Sequence, residues 1–191
     1  MFFDKKFTFV WNEGVSNMLS AKQADSHLAY DDALPASFSY VETPFGIWRA
    51  RYVDDHSICH FAPTDISGKS WREWNLSPND NVKHINDLPD TVVVYGTPFQ
   101  IAVWKALIDI PFGTTTTYTG VAERIHNPRA VRAVGSAIGA NRIGAFIPCH
   151  RVLAKNGNLG GFRWGLPLKE ALLEYEAKVV YHTQKADSEM S

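Results

Sequence analysis

The sequence predicts an α+β protein: a small antiparallel sheet followed by a mainly helical region. Two observations carry this reading. From Ser37 apolar and polar residues alternate around turn-forming groups, the period-2 signature of strands. From Thr97 apolar residues recur at three and four, the period of a helix that buries one face. A length of 191 residues suffices for one good-sized domain, or for a domain with a small N-terminal module.

Composition narrows the class. With 45% hydrophobic and 20% charged residues, and no apolar run of membrane-span length, an ordinary globular protein with no membrane partner is expected. The polar start Met1-Phe2-Phe3-Asp4-Lys5-Lys6 does not have the form of a signal peptide. Cys59 and Cys149, ninety residues apart, offer no disulfide framework, so a reducing cytoplasm is the natural setting. The cysteines and seven histidines show no CxxC or HxxxH spacing, so no metal site and no cofactor is expected.

Along the chain, residues 1–36 show no clear period and end in Asp31-Asp32-Ala33-Leu34-Pro35; a packed arm and a mobile one are both open. Strands over 37–42 and 46–53 flank the turn-forming Thr43-Pro44-Phe45-Gly46. A third covers Ser57-Ile58-Cys59-His60-Phe61, which makes Cys59 a sheet residue. The polar stretch 62–90 holds at most one short helix around Ser70–Asn75, and a strand follows over Thr91–Tyr95. These boundaries give a sheet subdomain over 37–95, a helical one over 96–181 and a tail over 182–191.

The helical part opens on Thr97-Pro98-Phe99-Gln100, a capping Thr, Pro at the first helical position and Gln at the third. Phe99, Ala102, Val103, Ala106, Leu107 and Ile110 mark the buried face, and Pro111-Phe112-Gly113 ends the helix. Thr117 is placed to cap a short helix through Ile125. After His126-Asn127-Pro128, Asn127 is placed to cap another, from Pro128 to about Gly139. Two short helices joined by a tight turn form a helix-turn-helix pattern. In the second, Val131, Val134 and Ile138 mark the core face, leaving Arg129, Arg132, Ala133, Ser136 and Ala140 outside. A face of small residues permits close approach, either by another helix or by a ligand. From Gly113 to Lys169 the chain carries eight Lys/Arg against one acid, a local balance of +7, while the remainder carries −8. A basic block on a near-neutral chain suits an anionic partner met by one face, and with the helix-turn-helix it points to DNA.

The stretch that concentrates chemistry is Ile147-Pro148-Cys149-His150-Arg151-Val152. Ala145-Phe146-Ile147 reads as a short buried strand, with Pro148 stiffening its exit, so the thiol is expected where a strand leaves the core. Most free cysteines are merely small buried hydrophobes; the context raises this one. Asn156-Gly157 signals a tight reversal, and Gly160-Gly161-Phe162-Arg163-Trp164-Gly165 is a loop of glycines and aromatics suited to wall a flat ligand. A last helix from Pro167 to about Tyr181 puts Leu168, Leu172, Tyr175 and Val179 on one face. Glu176 lies beside that stripe, where an acid is costly without a partner.

Several of these motifs, in this order, resemble the O6-alkylguanine-DNA alkyltransferases, in particular the C-terminal methyltransferase half of the bacterial adaptive-response (Ada) protein. They are Gly96-Thr97-Pro98-Phe99-Gln100 with Val103-Trp104, Thr117-Tyr118, Pro128-Arg129-Ala130-Val131-Arg132-Ala133-Val134-Gly135, Asn141, the Cys149 stretch, and Gly161-Phe162-Arg163-Trp164-Gly165. The likeness covers about 37–180 and is densest after 96. It implies DNA repair by direct reversal, in which Cys149 irreversibly takes a methyl group from O6-methylguanine, and also from O4-methylthymine, in double-stranded DNA. His150 would take the thiol proton through a water and Glu176 would orient the imidazole. Tyr118 would serve the base's N3, the Arg163 N–H its O6, and the carbonyls of Cys149 and Val152 its exocyclic amine, with Asn141 bracing the turn. The resemblance puts Arg132 in the stack vacated by a flipped nucleotide. The small-faced helix would lie in the minor groove, with Arg129, Ala133, Ser136 and Arg151 also at the DNA.

Some features depart from the family pattern. The N-terminal stretch lacks the cysteine cluster of the adaptive-response protein, so transcriptional regulation is not implied. Phe162 stands where many relatives have Tyr, and Trp164 where some have Gly; a bulky indole there is expected to narrow the pocket and favour methyl over benzyl adducts. A monomer is expected. Two rivals are a damage-binding module that does not transfer the alkyl group, and a cysteine hydrolase, which leaves the helix-turn-helix and basic block without a role.

Overall fold

The computed structural model describes residues 6–13, 37–64 and 82–189. The short helix expected around Ser70–Asn75 and most of the N-terminal 36 residues lie outside them. The chain divides into two compact units, Met1–Ile101 and Ala102–Ser191.

The first unit is built on strands β1 (Thr8–Glu13), β2 (Phe38–Thr43), β3 (Gly46–Asp54), β4 (Ser57–Pro63), β5 (Val82–Lys83) and β6 (Thr91–Gly96), ordered β1-β6-β4-β3-β2-β5. The antiparallel meander β2-β3-β4 lies where alternation predicts it, in the register Tyr40↔Arg49 and Arg49↔Ala62. Its inward face is Val41, Trp48, Ala50 and Phe61, with the Trp48 and Phe61 rings 4.9 Å apart. On the other face the Arg49 guanidinium sits 6.0 Å from the Phe38 ring. Parallel strands extend the meander, and one of them, β1, pairs with β6 from Thr8↔Thr91 to Glu13↔Gly96. A strand therefore lies within the 1–36 stretch. Phe7, Phe9 and Trp11 share one half-buried face, with Phe9 stacked on Trp11, while Thr8 and the apolar Val10 are exposed on the other; Val10 between Phe9 and Trp11 makes a continuous apolar run that blurs the alternation.

In the second unit the chain order is α1 (Pro98–Ile108, which spans the boundary), β7 (Thr116–Thr117), α2 (Tyr118–Arg124), α3 (Val131–Gly139), β8 (Val152–Leu153) and α4 (Leu166–Glu189). The capping box of α1 is reciprocal: Thr97 N–H donates to Gln100 Oε1 at 2.9 Å, and Gln100 N–H to Thr97 Oγ1 at 3.2 Å. Its buried face is wider than a single stripe, taking in Ile101 and Trp104 while Ala102 is exposed. Trp104 Nε1 donates to the Ala137 carbonyl of α3 at 2.8 Å. Thr117 caps α2 by accepting from Gly120 N–H.

Three local expectations change. Asn127 does not cap α3, which starts at Val131 with Ala130 as an N-cap lacking a side-chain bond. The Ala130 N–H instead closes a turn onto the Asn127 carbonyl, which places Pro128 at a corner that suits its fixed φ. Residues 145–147 are not a strand. Ile147 N–H returns to the Ile143 carbonyl and Ala145 takes φ 63°, so the segment coils. Finally α4 runs on to Glu189, beyond Tyr181. Its apolar stripe ends near Val180, but helix-forming residues and the i,i+4 pairs Glu174–Lys178 and Lys185–Glu189 carry it further.

Thr97→Ala removes half of the α1 box and is expected to lower the unfolding free energy by about 1 kcal/mol. Urea denaturation followed by circular dichroism measures it, and an unchanged midpoint contradicts it.

Candidate active site

Cys149 opens a single 3-10 turn, Cys149–Arg151, directly before β8. The segment that delivers it is wound around one side chain. Asn141 Nδ2 donates to the carbonyls of Ile143 (3.3 Å) and Ile147 (3.1 Å) and lies 3.2 Å from Cys149 Sγ, while its Oδ1 accepts the Ile143 N–H at 2.9 Å. This one amide pins both ends of the segment 143–147, whose inner N–H groups turn back onto the Gly144 and Ile143 carbonyls in place of a ladder.

The thiol is 3% exposed, yet it lines a cleft of about 260 Å³ together with Tyr118, Gly135, Ile138, Gly139, Gly161, Phe162 and Arg163. That is below the volume usual for a drug-sized ligand and matches a single flat ring system. Burial pushes the Cys149 thiol up to about 11, against the Asn141 hydrogen bond and the Lys169 charge, so the sulfur carries its proton at rest.

Behind the thiol lies a buried charge cluster. His150 Nε2 and Glu176 Oε1 are 2.8 Å apart, at 0% and 1% exposure. Arg151 Nε reaches both Glu176 oxygens, at 3.1 and 2.9 Å, and its Nη2 reaches Oε1 at 2.8 Å. The remaining guanidinium arm donates to the Ile110 carbonyl at 2.7 Å, and the group lies over the Phe112 ring. Gly113 N–H adds a bond to Glu176 Oε2 at 2.9 Å. Only glycine serves there: φ is +73°, and a Cβ would stand 2.5 Å from Val180 Cγ2. Burial alone would raise the Glu176 carboxyl, but the bonds from His150 and Arg151 outweigh it and hold the group down at about 2. An ionised Glu176 only accepts, so His150 Nε2 carries the hydrogen. Burial outweighs the pull of Glu176 and holds the imidazole below its ordinary value. A neutral imidazole beside a protonated thiol is what a general base requires.

Residues 98–178 match the family described as 6-O-methylguanine DNA methyltransferase, DNA binding domain. A probable methylated-DNA–protein-cysteine methyltransferase of Acanthamoeba polyphaga mimivirus is 55% identical over 139 residues, 73% of this chain and 87% of that protein. The chain belongs to the O6-alkylguanine-DNA alkyltransferase family. The inducible methylated-DNA–protein-cysteine methyltransferase of Bacillus subtilis is 50% identical over 95 residues, so the match spans about half of each, 50% of this chain and 49% of that protein. Among solved structures, a Mycobacterium tuberculosis OGT in complex with DNA superposes with a TM-score of 0.59 at 28% identity, covering 74% of this chain and 92% of that one.

Within this alkyltransferase chain the residues singled out from sequence fall into three groups. Cys149, His150, Glu176, Asn141 and Tyr118 converge; the Tyr118 hydroxyl donates to the Gly161 carbonyl at 3.4 Å and its ring packs where Gly160, at φ +68°, leaves no room for a Cβ. Arg129, Arg132, Ala133 and Ser136 are exposed on α3 and the turn before it. Arg151 departs from its expected place at the DNA. It is 8% exposed and spent on Glu176, because the carboxylate needs a buried counter-charge more than the surface needs another cation. In the pocket group, Phe162 and Arg163 line the cleft, whereas Val152 is fully buried. Trp164 is not among the lining residues and stacks edge-on against Phe162 at 5.4 Å, so it backs the wall rather than forming it.

Sequence reasoning missed Lys169. It is 0% exposed, and Nζ donates to the carbonyls of Val152 (2.6 Å), Leu159 and Gly161 (3.4 Å). Burial draws its amine down to about 8, with the Cys149 sulfur pulling the other way. The signal was present: Lys169 stands seven residues before Glu176, on the same face of α4. Gly135, Ile138 and Gly139 were missed as cleft residues too, though the small-residue face of α3 pointed towards them. Among the described residues no group of three His, Cys, Asp or Glu is placed to hold a metal ion, and no helix is long and apolar enough to cross a membrane.

Glu176→Gln leaves Arg151 buried without its counter-charge and is expected to cost about 3–5 kcal/mol of stability at neutral pH. Because the folded carboxyl is held below its unfolded value, its contribution is complete above about 4.5 and lost as pH falls towards about 2. Wild-type protein should lose stability across that acid window, measured by denaturation at stepped pH, and the Gln variant should show a flatter profile.

Proposed function

We propose that this protein repairs DNA by direct reversal: Cys149 takes the methyl group of O6-methylguanine, and of O4-methylthymine, from a nucleotide flipped out of the duplex. The observation that carries the reading is the thiol in the lining of a cleft of about 260 Å³, next in the chain to the buried His150–Glu176 pair, with exposed arginines on the helix-turn-helix. The thiol proton passes through a water to His150, whose Nε2 is committed to Glu176, so Nδ1 is the accepting nitrogen. The S–C bond forms as the C–O6 bond breaks. The electron pair stays with guanine, which regains a proton at N3 with Tyr118 at hand, and the donors around the cleft favour that developing charge. The product is a thioether, which has no carbonyl for water to attack, so each molecule acts once.

The base cannot present O6 from within the stack, and flipping costs least at a damaged, poorly paired position. Arg132 is suited to fill the vacated space, while Ala133 and Ser136 let α3 approach a narrow groove closely. Arg129 and Arg132, both exposed, supply phosphate contacts, which makes binding salt-sensitive and sequence-tolerant. The Arg163 N–H would serve O6, and the carbonyls of Cys149 and Val152 the exocyclic amine. The two free thiols fit the cytoplasm.

After incubation with duplex containing O6-methylguanine, mass spectrometry should find one added methyl group on the Cys149 peptide, and none in Cys149→Ala. A gel shift with an unmodified peptide would instead leave a binding module. His150→Ala should slow transfer about 10²–10⁴-fold at neutral pH and recover part of the loss as pH rises towards the thiol's own ionisation. Arg132→Ala should slow transfer from duplex DNA far more than reaction with the free base.

A further inference from the structure

The loop from Gly160 to Gly165 forms one wall of the cleft and has no regular secondary structure. Both of its end glycines take positive φ, +68° and +91°, so the backbone does not hold its own position. Side chains anchor it. On one side Tyr118 and Lys169 reach the Gly161 carbonyl. On the other, Arg163 Nη1 crosses to the carbonyl of Gly139, the last residue of α3, at 3.0 Å. Gly139 and Arg163 both line the cleft, so this bond closes the space between its two walls.

Resting on the direct-reversal reading, we propose that the Arg163 side chain is a latch that limits the size of the alkyl group Cys149 can accept. A cation at a helix C-terminus meets carbonyls that have no partner within the helix, which gives the bond a stable seat. The planar guanidinium holds that seat with little freedom of its own, unlike a lysine ammonium on a flexible stem. The half-buried guanidinium is drawn below its ordinary value by burial and by Arg142, while the Cys149 sulfur pulls the other way. Its position is held by the bond to the Gly139 carbonyl. A methyl adduct needs no more room than the latched cleft offers. A benzyl group needs the wall to retreat, and with the latch in place it cannot. Trp164, stacked on Phe162 outside the lining, reinforces the wall but does not set its position.

Two rates measured on each variant test this: inactivation by free O6-benzylguanine, and methyl transfer to Cys149 from duplex O6-methylguanine. Arg163→Ser, which keeps the backbone N–H, should raise the ratio of the first rate to the second by about tenfold or more, the scale set by pocket fit. Arg163→Lys, which keeps the charge without the fork, should fall between. Loss of general structure would lower both rates together, so the ratio separates the latch from simple damage; Arg163→Gln repeats the measurement should the Ser variant fold poorly. An unchanged benzyl rate with methyl transfer intact overturns the latch alone, as does a full gain from Trp164→Ala with none from Arg163→Ser. Failure of wild-type protein to take any methyl group overturns the direct-reversal reading and the latch with it.

Discussion

The structure of the site depends on one ionised carboxylate kept away from water. Glu176 is 1% exposed, and a lone carboxylate in that position would protonate rather than stay charged. It stays charged because Arg151, His150 and the Gly113 N–H between them occupy both oxygens. The partners come from two stretches: His150 and Arg151 from the turn that Cys149 opens, and Gly113 from the connection after α1. One side chain on α4 therefore fixes where the thiol-bearing turn sits and how the imidazole is oriented. Arg151 extends the same constraint to the Ile110 carbonyl, so the end of α1 is held by the same hub.

The electrostatics explain how a strong nucleophile can sit in a cell without being consumed. Burial keeps the Cys149 proton on the sulfur, and Asn141 offers only a weak hydrogen-bond partner to the thiol. Burial also keeps the His150 imidazole neutral, the form able to accept a proton. A second buried cation, Lys169, holds three carbonyls around the cleft and lends a positive field to the thiolate as it forms. The cluster thus stores its charges in pairs and bonds, and delivers them on arrival of a substrate. Such preorganisation costs stability locally and is repaid in the barrier.

Local signals in the chain were legible wherever a residue acts through its near neighbours. Thr97 and Gln100 cap α1 from three residues apart, and Pro44-Phe45-Gly46 turns β2 into β3. Signals failed where a distant group supplied what the local pattern did not. Residues 145–147 carry a strand's composition, yet they coil: Phe146 and Ile147 N–H return to the carbonyls of Gly144 and Ile143, and Asn141 takes the Ile147 carbonyl. Asn127 has the chemistry of a cap, but the turn to Ala130 consumed its carbonyl first. In β1 the exposed Val10 joins Phe9 and Trp11 in one apolar run that blurs the alternation, and its pairing with β6 defines it.

By itself the sequence determined the class of fold and the order of strands and helices that carry the site, and it singled out Cys149, His150 and Glu176, because Cys149-His150 and the misplaced Glu176 are conspicuous without a structure. Tertiary structure alone decided where the cations go. Six arginines and two lysines look equivalent along the chain between Gly113 and Lys169, but Arg151 and Lys169 are drawn inside, Arg163 spans the cleft, and Arg129 and Arg132 remain outside. The physical reason is that the charge of a side chain is local, whereas the worth of that charge depends on the dielectric and the partners that the folded chain brings to it.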